Sequence, residues 1–408
     1  MMSVDEALSR LLAPLRALPA ETVALPQALG RVLAEDVVAR RTQPPFPASA
    51  MDGYAVRAAD VATVPARLAV IGSVPAGSAF AGTVGRGQAV RIFTGAPVPD
   101  GADCIVIQED ADRDGDSVVV REGAPAGRYV RPAGLDFREG ETGLRAGRLL
   151  TVRDVALAAA MNRPWLAVRR RPVVAILPTG DEVVMPGDPI GPNQIVSSNG
   201  LALAALVETC GGTPRQLGIA RDDADSLRLL ADAARGADLL LTTGGASVGE
   251  HDLVRDALGA AGLELDFWKI AMRPGKPLIV GRFRDTPMIG LPGNPVSTLV
   301  CGLLFVRPAI DRLLGGAAEP APLGKARLAS SLPANDRRQD YLRATLARDS
   351  AATGDGLPLA TPFGKQDSSM VSLIAHADCL VVRPPHAPPA AAGDIVDIVD
   401  FPGGAVRF

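Results

Sequence analysis

The sequence has few of the residues on which several common kinds of site depend. Its 408 residues include only four cysteines and three histidines, and aromatic side chains make up 4%. The cysteines, at positions 104, 210, 301 and 379, form no C-x-x-C pair. A zinc site and a disulfide framework are therefore not expected. The Walker pattern and the G-x-G-x-x-G fingerprint are also missing, so neither of the ordinary nucleotide-binding loops is predicted.

The sequence also lacks a charge excess and a long hydrophobic run. With 45 acidic and 42 basic side chains the net charge is −3, which disfavours a dedicated nucleic-acid binder. The longest apolar run, residues 296–306, is far shorter than the roughly 20 residues that span a bilayer. Asp5 and Glu6 stand where a signal peptide would be positively charged. We therefore expect no membrane span and a cytoplasmic location.

Length and patterning predict a multidomain α/β protein whose N-terminal region is helical. Ser3 and Glu6 resemble a helix-capping pair, and the helical pattern that covers residues 1–42 returns over residues 141–170. Between them, from a proline-rich stretch onward, short β-type runs alternate with Gly and Pro turns. Residues 43–140 are therefore predicted to be a β-rich subdomain inserted into the helical region.

Residues 171–317 have a different pattern, in which continuous apolar runs alternate with helical stretches. Residues 173–177 form the first such run, and similar runs occur at 238–241 and 287–291. Runs of this kind are typical of a mostly parallel sheet that is doubly wound, with helices on both faces. After a linker, residues 325–408 contain alternating runs that indicate a small β barrel or sandwich, of which we expect the barrel.

Polar residues follow the predicted strands of the central module, where ligands of such sheets bind. Thr179, Gly180 and Glu182 follow the run at 173–177, and Asp222 and Asp223 follow a short strand predicted at 216–220. Gly244 begins a glycine-rich loop after the run at 238–241. Glycines let backbone N–H groups approach an anion. We predict that the loop, with Gly245 and Ser247, binds substrate.

Several carboxylates at one sheet edge would repel each other unless a cation lay among them. Carboxylates with phosphate oxygens are the ligands that Mg²⁺ prefers, and Glu250 and Asp252 follow the glycine loop. Lys269, Arg273 and Lys276 add positive charge in a rigid Pro-Gly-Pro setting. Such a combination is typical of phosphoryl or nucleotidyl chemistry.

A second rigid turn begins the last helix of the central module. In the segment Pro292-Gly293-Asn294-Pro295, the asparagine can cap the helix, with a proline at its first position. Its N–H groups could equally bind an oxyanion, with Ser297 nearby. Serine-nucleophile chemistry is not expected, because His251, His376 and His386 have no evident triad setting.

Taken together, these segments resemble the molybdopterin molybdenumtransferases of the MoeA type, a family that includes the C-terminal domain of gephyrin. Six segments carry the resemblance in order along the chain: PASAMDGYA (47–55), IFTGAPVP (92–99), PTGDE (178–182), TGGASVGE (243–250), PGKP (274–277) and LPGNPVS (291–297). Each segment alone is weak, but six in order are highly specific.

The resemblance implies the last insertion step of molybdenum cofactor synthesis. Molybdate is placed in the dithiolene of adenylyl-molybdopterin, and AMP is lost in a Mg²⁺-dependent reaction. The resemblance also implies a homodimer, with residues 1–42 and 141–170 as the dimerisation domain. The central module of one subunit and the N-terminal region of the other would share an active site. The molybdopterin adenylyltransferase and cofactor-accepting proteins are the implied partners.

The resemblance also assigns residues. From the N-terminal half it implies catalytic roles for Asp52, Thr94 and Asp136, and from the central module it implies site roles for Glu182, Asp222, Glu250, Asp252, Lys269, Lys276, Pro292 and Pro295. Glu250, Asp252 and Glu182 are the expected magnesium ligands. Arg338, Ser368 and Ser369 resemble the family's oxyanion contacts. Arg273 departs from the pattern, because many members carry lysine there, and the choice of Asp222 over Asp223 rests on register alone.

Two other functions remain open from the sequence. A molybdopterin adenylyltransferase, which acts one step earlier, would share the central module but needs little more than that module. A gephyrin-like scaffold would be expected to carry an added domain or a long linker. The β-rich subdomain that contains Asp52 favours the insertion step over the adenylyltransferase, and the scaffold is disfavoured because neither an added domain nor a long linker is expected from the sequence.

Overall fold

The computed structural model describes residues 1–75, 77–244, 259, 262–348 and 356–401. The chain forms two compact units. The first unit comprises Met1–Glu21, Gly30–Ala34 and Ala167–Phe408, and the second comprises Thr22–Leu29 and Glu35–Leu166. The helices are α1 (Val4–Leu12), α2 (Val152–Ala160), α3 (Asn199–Thr209), α4 (Ala224–Asp232), α5 (Pro295–Cys301), α6 (Arg307–Leu313) and α7 (Val371–Ala375).

Strands occur throughout the described residues. Those up to residue 169 are β1 (Ala20–Ala24), β2 (Val37–Val38), β3 (Ala48–Ser49), β4 (Gly53–Val56), β5 (Ala66–Val74), β6 (Gln88–Ile92), β7 (Cys104–Ile107), β8 (Ala111–Asp114), β9 (Ser117–Val120), β10 (Val130–Arg131), β11 (Thr142–Leu144) and β12 (Trp165–Arg169). The others are β13 (Val173–Pro178), β14 (Val183–Val184), β15 (Ile195–Val196), β16 (Thr213–Gln216), β17 (Leu239–Thr243), β18 (Leu263–Lys269), β19 (Met272–Arg273), β20 (Pro277–Phe283), β21 (Thr286–Leu291), β22 (Leu323–Leu328), β23 (Gln339–Ala347), β24 (Leu359–Pro362), β25 (Cys379–Arg383) and β26 (Ile395–Asp400).

The first unit is built on a six-stranded sheet with the order β16-β13-β17-β21-β20-β18. Its first four strands are parallel, and β20 and β18 are antiparallel to their neighbours. Alternate residues of β13 point to opposite faces: Val174 and Ile176 pack with α3 and α5, whereas Ala175 and Leu177 pack with α4. Helices therefore cover both faces, which confirms the predicted doubly wound, mostly parallel sheet.

A closed barrel follows in the same unit. Strands β23, β24, β22, β26 and β25 pair in that order, and β25 pairs back to β23. Its interior is filled by small and branched side chains, among them Ala344, Val381 and Ile398. Closure removes the sheet edges, and the predicted C-terminal β barrel is confirmed.

A six-stranded mixed sheet forms the centre of the second unit, with the order β7-β4-β6-β5-β9-β8. Its pairs are antiparallel except β5 with β6. Val56, Val106 and Val118 pack on one side of this sheet and Ala55, Val90 and Ile105 on the other. The β-rich character predicted for residues 43–140 is confirmed.

The prediction that residues 1–42 and 141–170 are helical is wrong over most of their length. Helix α1 forms, with the hydroxyl of Ser3 accepting a hydrogen bond from the N–H of Glu6, and α2 forms behind a capping box of Thr151 and Asp154. The rest is β1, β2, β11, β12, turns and a short 3-10 turn. Prolines at 14, 19 and 26 prevent α1 from continuing.

None of the helices in the described ranges combines the length and the hydrophobicity needed to span a bilayer.

Candidate functional site

A cavity of about 630 Å³ lies in the first unit at the carboxyl ends of three neighbouring strands. The strands β13, β17 and β21 end at Pro178, Thr243 and Leu291, and the next residues of each line the cavity. Its lining includes Thr179, Glu182, Asn199, Gly244, Asn294 and Ser369. Since carboxyl ends of parallel strands are where such sheets bind ligands, this cavity is the main candidate site.

Two glycines are required where the strands turn into this cavity. Gly180 has a φ of +137°, and a Cβ there would come within 2.6 Å of the Glu182 carboxylate. Gly244 has a φ of +98°, and a Cβ there would overlap the carbonyl oxygen of Thr179. Any other residue would be strained in either place. The turns therefore keep strand ends β13 and β17 close together.

The polar floor of the cavity is held by Asn199, which the sequence analysis missed. Its amide nitrogen donates to the Thr243 hydroxyl at 3.0 Å and to the Gly293 carbonyl at 2.7 Å. Asn199 thus connects the ends of β17 and β21. Thr179 is only 3% exposed, and its hydroxyl has no hydrogen-bond partner among the described residues. An unpaired hydroxyl in a cavity wall is available to a polar ligand.

The two aspartates that the sequence could not distinguish have different roles. Asp223 caps α4, its carboxylate accepting from the N–H of Ser226 at 2.7 Å. The N–H of Asp222 donates to the carboxylate of Asp181 at 3.2 Å, and the Asp222 side chain is exposed. Capping therefore commits the carboxylate of Asp223, and neither aspartate is among the described residues that line the cavity.

The turn before α5 is joined to the barrel. Asn294 donates to the Ser368 hydroxyl at 2.7 Å, and the N–H of Val296 donates to the Ser368 carbonyl at 3.0 Å. Pro292 and Pro295 line the cavity with Asn294 and Ser369, whereas Ser297 is 4% exposed and does not line it. The structure therefore brings this turn and the predicted serine pair together.

Arg273 and Arg338, both predicted to bind substrate, form ion pairs. Arg273 makes a two-pronged pair with the carboxylate of Asp340, with its Nε 2.9 Å from Oδ1. Arg338 pairs with Asp336 at 2.9 Å, and Asp336 also lies 3.7 Å from Arg273. Hydrogen bonds from Arg338 lower the pKa of Asp336 to about 2. The charges of both arginines are largely balanced here.

Lys269 and Lys276 line a second, smaller cavity of about 400 Å³. Both lie in a hairpin closed by a hydrogen bond of 3.1 Å from the N–H of Ile270 to the carbonyl of Lys276. The intervening Gly275 has a φ of +108°, and a Cβ there would lie 2.5 Å from the Sγ of Cys301. Burial raises the pKa of the Cys301 thiol, which is fully buried.

Arg343 is a residue that the sequence analysis did not single out. It lies on β23 with no exposed surface, and no atom of its guanidinium has a hydrogen-bond partner among the described residues. Desolvation lowers its pKa, and the negative charge of Asp367 opposes this shift. Gln366 holds the backbone of Arg343 through hydrogen bonds of 3.0 Å. A buried, unpaired guanidinium is costly, and it lies beside the loop of Ser368 and Ser369.

In the second unit, Asp52 and Thr94 form a polar pair. The Asp52 Oδ1 accepts hydrogen bonds from the Thr94 N–H at 2.7 Å and from its hydroxyl at 2.8 Å. These bonds lower the pKa of Asp52, and the nearby charge of Arg91 adds to this. Asp136 is exposed, and its N–H donates to the Gln43 carbonyl at 3.0 Å.

Comparisons with known proteins identify the family. Three family models match: MoeA N-terminal region (domain I and II) over residues 2–162, probable molybdopterin binding domain over 175–312, and MoeA C-terminal region (domain IV) over 325–401. The chain is 37% identical to molybdopterin molybdenumtransferase 2 of Mycobacterium tuberculosis, covering 98% of this chain and 100% of the relative. It belongs to the MoeA family.

Other relatives agree with this assignment. The molybdopterin molybdenumtransferase of Bacillus subtilis is 34% identical over 93% of this chain and 90% of its own. The solved molybdopterin biosynthesis MoeA protein of Pyrococcus horikoshii superposes with a TM-score of 0.85 at 33% identity, covering 99% of this chain and 100% of that one. The MoeA resemblance seen in the sequence is therefore confirmed along nearly the whole chain.

Four predicted site residues lie outside the described ranges. They are Gly245, Ser247, Glu250 and Asp252. Residues 245–249 also have the spacing G-x-S-x-G of a hydrolase nucleophile turn. Of the described histidines, the Nδ1 of His376 lies 2.6 Å from the Ser372 carbonyl, and the N–H of His386 donates to the Asp336 carbonyl at 2.7 Å. Neither contact resembles a triad, and MoeA membership points to other chemistry.

Proposed function

We propose that this MoeA-family chain inserts molybdate into adenylyl-molybdopterin and releases AMP, as a transferase of the last step of molybdenum cofactor synthesis. The cavity at the carboxyl ends of β13, β17 and β21 carries the proposal. It combines polar donors with a glycine-rich edge, as a phosphorylated pterin would require. The family relatives, named molybdopterin molybdenumtransferase, support the insertion step over the adenylyltransferase.

The oxyanion would be held by side chains on two adjoining elements. Ser368 and Ser369 belong to the loop that contacts the turn before α5, and the unpaired guanidinium of Arg343 lies beside that loop. Molybdate is a tetrahedral dianion, for which charged and hydroxyl donors are suited. Arg338 remains the proposed arginine contact of this site, through donors that Asp336 does not use, and the fully buried Arg343 adds positive charge near the same loop.

A homodimer with a shared active site is the second part of the proposal. Asp52 and Thr94 form a preorganised acceptor and donor pair, yet they belong to a different compact unit from the cavity. In the proposed dimer, Asp52, Thr94 and Asp136 of one subunit complete the site of the other. The adenylyltransferase that supplies the pterin and the proteins that accept the cofactor are its proposed partners, in the cytoplasm.

Magnesium is the proposed metal ion. Glu182 lines the cavity and offers a hard oxygen ligand, and Glu250 and Asp252, outside the described residues, would complete the set. No cluster of three or more metal-binding side chains occurs within the described ranges. If bound there, magnesium neutralises charge on the phosphate that departs with AMP. Lys269 and Lys276 would bind the anions themselves.

The test is release of AMP from adenylyl-molybdopterin in the presence of molybdate and magnesium. Wild-type protein should release AMP only when molybdate is present, and Glu182→Gln should slow release at least about tenfold, since charge stabilisation at such sites supplies factors of that size or more. Asp225→Asn, an exposed carboxylate on α4, is the matched control. Molybdate-independent AMP release would contradict the proposal.

A second arm separates the two enzyme functions. The protein is incubated with ATP and molybdopterin without molybdate. The proposal expects no adenylylated pterin, whereas an adenylyltransferase would form it.

A further inference from the structure

The lysines of the smaller cavity share it with a third cation, Arg337. The described residues that line the cavity are Met1, Lys269, Ala271, Lys276 and Arg337, and the charged side chains among them are all basic. The chain as a whole has more acidic than basic side chains. Arg337 and Lys276, which form no ion pair with a carboxylate of the described residues, repel each other unless a counter-charge is present. A cavity of this composition is suited to an anion.

The acidic residues nearest to Arg337 in sequence are already committed. Asp336 pairs with Arg338 and Arg273, and Asp340 is buried against Arg273. Among the described residues, no carboxylate forms an ion pair with Arg337. The carboxylates of Asp336 and Asp340 thus neutralise Arg273 and Arg338, and they leave Arg337 in the lining of the lysine cavity.

The backbone holds the two sides of the cavity together. Strand β19 pairs with the start of β23, with Met272 opposite Gln339, and the N–H of Gln339 donates to the Ala271 carbonyl at 2.9 Å. The turn that carries Arg337 is therefore fixed in register against the hairpin of Lys269 and Lys276. The position of Arg337 beside the lysine hairpin is therefore set by the hydrogen-bonded ladder that begins two residues later, at Gln339.

We infer that Arg337 is an anion-binding residue, which joins Lys269 and Lys276 in holding one tetrahedral oxyanion. The inference rests on the proposed function for the identity of the anion, which is either molybdate or a phosphate of the adenylylated pterin. The shared chemistry is a compact dianion with oxygen acceptors on all sides. Arg337 offers it two N–H donors from a planar fork, and the lysines offer point charges.

Binding to the full-length chain tests the inference without turnover. Titration calorimetry at low ionic strength uses sodium molybdate and inorganic phosphate as separate probes. Arg337→Gln should weaken binding of at least one probe by roughly three- to tenfold, the loss expected when one charged contact of several is removed. Arg337→Lys keeps the charge and should recover most of the affinity. Unchanged binding of both probes by Arg337→Gln would overturn the inference.

The matched control is Arg348→Gln. Arg348 directly follows β23, whereas Arg337 precedes that strand. Arg348 pairs with Asp400 at 2.8 Å and does not line the cavity. The same loss in this variant would show a general charge effect and would overturn the inference.

Turnover then identifies the anion. If Arg337→Gln raises only the KM for molybdate, the cavity binds molybdate. If it raises only the KM for adenylyl-molybdopterin, the cavity binds a phosphate of that substrate. A wild-type chain that binds the probes through Arg337 but releases no AMP would contradict only the proposed function. A chain that releases AMP with Arg337→Gln unchanged in binding and in both KM values would contradict only this inference.

Discussion

At the scale of single residues, Asp52 shows how a charge is fixed before any ligand arrives. Two donors from Thr94 act on one carboxylate oxygen, and they favour the ionised form. The folded-state pKa is lowered, so the stabilising effect of these bonds is complete above the ordinary pKa of an aspartate. It is lost as the pH falls through the lowered value.

Removing one of the donors tests this. In Thr94→Val the hydroxyl is lost but the backbone N–H remains, so the pKa of Asp52 should rise towards its ordinary value. NMR titration of the Asp52 carboxyl carbon measures the shift directly. The acidic limb of the pH profile for AMP release should move to higher pH in the same direction. A pKa equal to that of wild-type protein would contradict the assigned cause.

Replacing Arg343 should stabilise the folded protein but weaken its binding of molybdate. Its guanidinium is buried and unpaired among the described residues, so an apolar residue of similar length should fold better. Arg343→Met should raise the free energy of unfolding by about 1–3 kcal/mol, measured by urea denaturation. The same variant should raise the KM for molybdate. A less stable variant with an unchanged KM would show that Arg343 is structural.

Individual residues also mark what the sequence could reveal. Thr179, Glu182 and Asn294 were predicted, and the structure places them in one cavity, because short polar motifs after apolar strands identify a sheet edge. Arg343 was missed because a single arginine in a strand pattern indicates an exposed position. Its burial comes from packing around β23, which depends on segments distant in sequence.

At the scale of elements, strand β19 joins the lysine hairpin to the barrel. The ladder pairs Arg273 with Asp340, and their side chains form an ion pair in which Asp340 is 5% exposed and Arg273 49%. Breaking a fully buried pair costs more than breaking an exposed one. Because Arg273 is half exposed, the contribution of this ion pair to the free energy of unfolding should lie between those of a buried and an exposed pair.

We therefore expect Asp340→Asn to lower the free energy of unfolding by about 1–2 kcal/mol. Asp400→Asn breaks the more exposed pair with Arg348 and should cost less than about 1 kcal/mol. Urea denaturation of both variants gives the comparison. Equal losses would contradict the special role of the buried carboxylate.

Elements were predicted best where the sequence pattern was uniform. The apolar runs of β13, β17 and β21 predicted buried parallel strands, and these formed within about two residues of the expected ends. Residues 20–38 were predicted to be helical as part of the helical region assigned to residues 1–42. Their strands instead depend on pairing with residues far along the chain, such as β2 with β11, which local pattern does not show.

At the scale of the whole molecule, the proposed shared site makes a specific demand on assembly. Asp52→Asn and Lys276→Ala alter different compact units, so each homodimer would lack one part of both sites. In a mixed dimer one of the two sites would be intact. After unfolding and refolding together in equal amounts, the mixture should recover about a quarter of wild-type AMP release. No recovery would contradict a site shared between subunits.

Metal dependence is also a property of the assembled protein. Removing magnesium with EDTA should abolish molybdate-dependent AMP release, and adding magnesium back should restore it. AMP release that persists in excess EDTA would contradict magnesium dependence.

The thiol of Cys301 is fully buried and lies against Gly275. The rate at which it reacts therefore reports on opening of the hairpin that carries Lys269 and Lys276. A thiol reagent cannot reach that sulfur while the Pro-Gly turn is closed. The alkylation rate of Cys301 therefore depends on how often the turn opens. If a bound oxyanion stabilises the closed hairpin, alkylation of Cys301 should become slower as molybdate is added. Alkylation of the half-buried Cys210 in the same sample is the internal control.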